Sequence, residues 1–161
     1  MAKLFQVVAV KCNNINYTPA CTLYLNTRNV KWAGSVIYTD YAGATALGSQ
    51  IIYCGYDNTF ERDYISSDSL ATIQGRMNAA FGTDVHALSL TKIDFSAPAE
   101  GFIPATLLSQ LQVEVEDIWL VMAHPLNNDN SLIQIQNPTR SQIDQYRVAD
   151  AAGDIETAAN A

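Results

Sequence analysis

Apolar and polar residues alternate along much of the chain. "LFQVVAVK" (4–11) has an apolar centre, and in "ACTLYLNT" (20–27) Cys21, Leu23 and Leu25 alternate with Thr22, Tyr24 and Asn26. A strand points successive side chains to opposite faces, so this period of two predicts half-buried strands. "VKW" (30–32), "SVIYTD" (35–40) and "SQIIYC" (49–54) continue the series, with "TRN", Gly34 and the small-residue loop "YAGATALG" (41–48) between them. "DVHALSLTKIDF" (84–95), "VEVEDIWLVMA" (113–123) and "SLIQIQ" (131–136) read as later strands, with the turn cluster "HPLNNDN" (124–130) between the last two. Strands recurring with Pro, Asn and Gly between them predict an antiparallel meander rather than βαβ units.

The period changes in two places. Leu70, Ile73, Met77, Ala80 and Phe81 make one apolar stripe at helical spacing, predicting a helix over 67–81 that stops at Gly82. Ser67 and Asp68 are its expected N-cap residues, a side-chain oxygen accepting a free backbone N–H. Gly75 within it costs about 1 kcal/mol relative to Ala, so the helix depends on packing. In "NPTRSQIDQYRVADAA" (137–152), Thr139 and Gln142 have capping-box spacing and predict a last helix. "SAPAEGFIPATLLSQL" (96–111) reads as a loop with one helical turn at 105–111. The end, 149–161, has nothing to anchor it and reads as a flexible or partner-ordered tail.

No internal repeat and no long linker is visible, so residues 1–148 are expected to form one domain. The predicted fold is α+β: a mostly antiparallel sheet of about six or seven strands, one central helix and one C-terminal helix. A β-sandwich with an inserted helix is the alternative.

Composition narrows the function classes. With 161 residues, 48% hydrophobic and 16% charged, the chain can build a real core. Its net charge of −7 repels phosphate backbones. The cationic residues are spread singly from Lys3 to Arg147 with no basic patch, which argues against nucleic-acid binding. No apolar run approaches the ~18 residues of a membrane span, and the N-terminus lacks a signal pattern, so synthesis in a cytoplasm is expected. Cys12, Cys21 and Cys54, odd in number and without C-x-x-C spacing, read as free thiols.

"YDNTFERDYISSDS" (56–69) carries Asp57, Glu61, Asp63 and Asp68. Aligned to a calcium loop from Asp57, it places Arg62 where the sharp bend needs Gly, and ends on Asp instead of a bidentate Glu. Its aromatic residues Tyr56, Phe60 and Tyr64 recur every fourth position and are the candidates for a protein contact. "GATALGSQ" spaces Gly43 and Gly48 like a phosphate-binding loop, but Ser49 stands where Lys is required. His86 reads as a sheet-face residue, His124 as a turn residue, and Glu114 with Glu116 as a solvated strand face. No catalytic, cofactor-binding or metal-binding residue is assigned.

Asn, Gln, Ser and Thr make up roughly a quarter of the chain, while Lys occurs only four times. Lys is depleted from protein–protein interfaces, so such a surface suits a protein covered by partners. The expectation is a non-enzymatic assembly protein contacting other protein subunits. An example is a phage virion component such as a minor or decoration capsid protein, made in the cytoplasm and placed on the outer shell away from DNA. A small-molecule or partner-binding domain, its ligand between the sheet and the 96–111 loop, is the alternative. A small enzyme using Cys54, His124 or the 57–68 carboxylates is the third reading.

Overall fold

The computed structural model describes residues 3–80, 86–95, 106–137 and 142–161. Its strands are β1 (Leu4–Cys12), β2 (Ile15–Asn26), β3 (Val30–Thr39), β4 (Thr45–Tyr53), β5 (Arg62–Ser66), β6 (Ala87–Phe95), β7 (Thr106–Glu114), β8 (Ile118–His124), β9 (Asn127–Asn137) and β10 (Gln142–Val148). Helices α1 (Leu70–Ala80) and α2 (Ala152–Ala159) complete the fold, with 3-10 turns over Thr27–Asn29, Tyr56–Asn58 and Val115–Asp117. All ten strands belong to one sheet, in the order β3-β4-β5-β1-β2-β8-β9-β10-β6-β7. Every neighbouring pair is antiparallel.

The expected sheet of six or seven strands is therefore too small, and the sandwich alternative does not hold because the ten strands share a single sheet. Three strands account for the difference. β5 lies inside the carboxylate-rich stretch, yet Tyr64, Ile65 and Ser66 are buried between β4 and β1. β7 occupies the segment expected to be loop and helical turn. β10 replaces the expected last helix, because Ile143, Tyr146 and Val148 favour a strand and it is flanked by β9 and β6. Thr139 of the expected capping box lies outside the described residues, as do Phe81 and Gly82. The C-terminal helix lies further on, in the segment 149–161 expected to be a flexible or partner-ordered tail. There Ala152, Ile155 and Ala159 are buried, and the Asn160 amide both accepts from Leu4 N (3.0 Å) and donates to Leu4 O (2.8 Å).

The strand order contains an internal repeat that the sequence does not reveal. The first half runs β3-β4-β5-β1-β2 and the second β8-β9-β10-β6-β7, the same order with each strand replaced by its counterpart five strands later. A 3-10 turn follows the second strand of each half, and a helix follows the fifth. Even the irregularities recur: β3 is bulged between Val30 and Trp32, and β8 between Ile118 and Leu120. Polar contacts recur as well. Asp68 Oδ2 accepts from Val8 N (3.2 Å), and Asp150 Oδ2 from Thr91 N (2.8 Å). Ser49 Oγ donates to Asp68 O (2.8 Å), and Ser131 Oγ to Asp150 O (2.6 Å).

Each half has its own core. Phe5, Val7, Leu25, Ile51 and Ile73 pack together in the first, and their counterparts Leu88, Leu90, Val113, Ile133 and Ile155 in the second. The two cores lie on opposite faces of the sheet. Adjacent strand residues point to opposite faces, and on β8 Leu120 joins the first core while Val121 joins the second. The halves are also reversed in strand direction, since β2 and β8 are antiparallel and strands alternate throughout. A half-turn about the direction that crosses the strands, plus an advance of five strands, superposes one half on the next.

The seam between the halves is the β2–β8 pair, with Leu23, Tyr24 and Leu25 opposite Met122, Val121 and Leu120. Side chains cross it in both directions: Trp119 of the second half sits in the first core, and Leu4 of the first half in the second. Where the bulge opens the ladder, the Tyr53 hydroxyl fills the gap. It accepts from Asn26 N (2.7 Å) and donates to the Trp119 carbonyl.

Candidate functional site: the two outer strands

The stretch 56–69 is mostly consumed by the fold. Tyr64 is buried in the first core beside Tyr53, so its side chain is not presented to a partner. Tyr56 is half-buried at the seam. Its hydroxyl hydrogen-bonds Asp117 Oδ1 (2.9 Å) and donates toward Glu116 O (3.1 Å), while the Arg28 guanidinium lies 4.7 Å from its ring centroid. Burial, and then the Asp117 carboxylate, push its pKa up to about 12. Phe60 alone of the three aromatic residues is exposed, at a left-handed φ of 52°.

The carboxylates part to separate partners. Asp68 pairs with Arg76 (2.8 Å), Asp63 accepts from Gln50 Nε2 (2.9 Å), and Glu61 faces Lys31 (3.6 Å). Among the described residues no three His, Cys, Asp or Glu side chains converge as metal ligands. The N-cap of α1 is Ser69, one residue beyond the expected Ser67 and Asp68: its Oγ accepts from Thr72 N (3.2 Å). Asp68 is unavailable for that role because its carboxylate holds Val8 N and Arg76.

The other chemical candidates are equally dispersed. Cys12, Cys21 and Cys54 are free, and burial raises the pKa of each thiol, the reverse of what activates a nucleophile. His86 Nε2 contacts Ala158 O (2.8 Å), and His124 Nδ1 accepts from Leu126 N (3.1 Å). Glu114 and Glu116 do not share a strand face, since a 3-10 turn begins at Val115, and Glu116 pairs with Arg28 (3.6 Å). Of the loop expected to cover a ligand, 96–105 lies outside the described residues and 106–111 belongs to β7.

What remains is at the two ends of the sheet, which sequence reasoning did not single out. Among the described residues β3 and β7 each have a neighbouring strand on one side only. Both edges carry large apolar side chains in solvent: Trp32 and Ile37 on β3, Leu107 and Leu108 on β7. Ile37 stands opposite Leu47 of β4, itself exposed, so the apolar strip on that edge is two strands wide. The Trp32 ring lies across Gly34, where a Cβ would fall 2.4 Å from it. An unpaired row of backbone N–H and C=O groups flanked by apolar side chains is a template for another strand. The sequence carries no advance signal for these edges: Leu107 and Leu108 stand at helical spacing from Leu111, which is why 105–111 was expected to be a helical turn. Comparison with protein-family models, with curated proteins and with solved structures gives no match.

Proposed function

We propose that this chain is a non-enzymatic assembly protein that acts through protein–protein contacts at the edges of its sheet. The observation that carries the reading is the pair of outer strands, each open on one side among the described residues, with Trp32, Ile37, Leu107 and Leu108 exposed on them. Natural sheets ordinarily blunt such edges with charge, Pro or a covering element. Here β7 has no charged residue before Glu114, and β3 has only Lys31. The acidic, Lys-poor composition suits a subunit on the outside of a particle, and a virion shell is the setting we propose.

Light scattering of the chain, alone and co-expressed with the products of its neighbouring genes, tests this. Higher-mass species are expected, and Ile37→Lys combined with Leu108→Lys should abolish them without lowering the melting temperature. A chain that stays monomeric under both conditions, or a variant that assembles as the wild type does, overturns the reading.

A further inference from the structure

We propose that the partner at these edges is a second copy of the chain, added head to tail so that β7 of one copy pairs with β3 of the next. This rests on the assembly reading and specifies its geometry. Because β7 is the counterpart of β2 and β3 the counterpart of β8, the outer edges are the two sides of the seam that already joins the halves. The molecule contains one example of the contact, and among the described residues both of its surfaces are open at the ends of the sheet.

The register follows from the seam. Leu25 and Val113 each precede the end of their strand by one residue, and Trp32 and Leu120 each follow the bulge. Leu25 opposite Leu120 therefore maps onto Val113 opposite Trp32 of the next copy. The other seam pairs map onto Gln112 opposite Ala33 and Leu111 opposite Gly34, and continuing the ladder beyond them places Leu108 opposite Ile37. Two independent matches appear in that register. Leu108 (65% exposed) and Ile37 (72%) cover one another. Trp32 is 51% exposed, whereas its counterpart Leu120, already within the seam, is 4% exposed. A slip by one residue would put each apolar side chain on the wrong face and lose both.

The α2 contact has an outer counterpart too. Asn160 grips the backbone of Leu4 across the seam, and the corresponding pair is Asn78 of an added copy and Ala87 of the copy before it; both residues are exposed.

Mixing copies that carry Ile37→Cys with copies that carry Leu108→Cys, under copper-catalysed air oxidation, tests the register. Directly opposite residues of an antiparallel pair are within disulfide reach, so the 37–108 intermolecular link should form about tenfold faster than a control Ile37→Cys with Gln112→Cys. The linked peptides are identified by mass spectrometry. A complementary-charge pair supplies a second readout: Leu108→Lys and Ile37→Glu should each weaken association several-fold, and the two combined in one chain should restore it. Oligomers that form but link 37 to 37, 108 to 108 or 37 to 112 overturn the head-to-tail register and leave the assembly reading intact. A chain that alone stays monomeric and unlinked at high concentration overturns the second-copy proposal. If it then assembles with neighbouring gene products, the broader reading survives.

Discussion

Gly48 and Gly75 sit in opposite environments, and substitution should separate them. Gly48 lies in β4 where a Cβ would fall 2.1 Å from the Ser66 carbonyl oxygen of β5, so its neighbour is backbone that cannot give way. Gly48→Ala should lower stability by about 1–3 kcal/mol, the usual cost of overpacking. Gly75 is exposed on α1 with nothing within 4 Å, so Gly75→Ala should add about 0.5–1 kcal/mol of helix stability. Urea denaturation reads both, and a Gly48→Ala variant with wild-type stability would refute the close approach. The sequence places Gly43 and Gly48 together in one turn. Gly43, at φ 88°, does occupy the β3–β4 turn. The requirement at Gly48 comes from a strand fourteen or more residues away, so no local pattern carries it.

Among the elements, most strands were legible, and β5, β7 and β10 were not. β1 and the second half of β2 alternate because a core lies against them, whereas the strand expected over 113–123 is broken by the 3-10 turn at Val115–Asp117 and only its apolar end, from Ile118, is β8. β5 hides its strand character, since Arg62 and Asp63 look like loop residues until β4 and β1 are seen to flank them. β7 lacks alternation from Leu107 to Gln110, all four of which are exposed, so neither face carries a core signature. The terminal helix was missed because its anchors are distant in sequence. Asn160 binds Leu4 through both its amide oxygen and nitrogen, as a neighbouring strand residue would. Asn160→Ala should therefore cost about 1–2 kcal/mol, the net value of two hydrogen bonds, and expose the end of α2 to proteolysis. Unchanged melting and cleavage would show that α2 is held by its apolar face alone.

Across the whole molecule, two half-size units are welded by a seam with few ladder pairs but exchanged side chains. The duplication is invisible in the sequence because the matching residues are scattered: Ser49 with Ser131, Asp68 with Asp150, Ile73 with Ile155. Unequal connections also shift their spacing, since β1 and β2 are joined by two residues and β6 and β7 by ten. The Tyr53 hydroxyl is the most specific part of the weld, because it alone connects Asn26 N to the Trp119 carbonyl. Tyr53→Phe keeps the ring and strands both groups, which should cost about 1–3 kcal/mol. Amide exchange at Asn26 should quicken as the seam loosens, and unaltered exchange would refute the bridging role.

The weld is not a two-fold contact, and this has a consequence for any larger structure. A two-fold pair uses the same patch twice and closes, whereas this seam joins unlike patches, the last strand of one unit to the first of the next. However many units are joined, one terminus carries Lys31 and Trp32 and the other carries Leu108 and Glu114. The molecule is polar in the sense that a microtubule is polar: its termini are chemically distinct. A copy blocked on one edge would act as a terminator at one end while the opposite end went on growing.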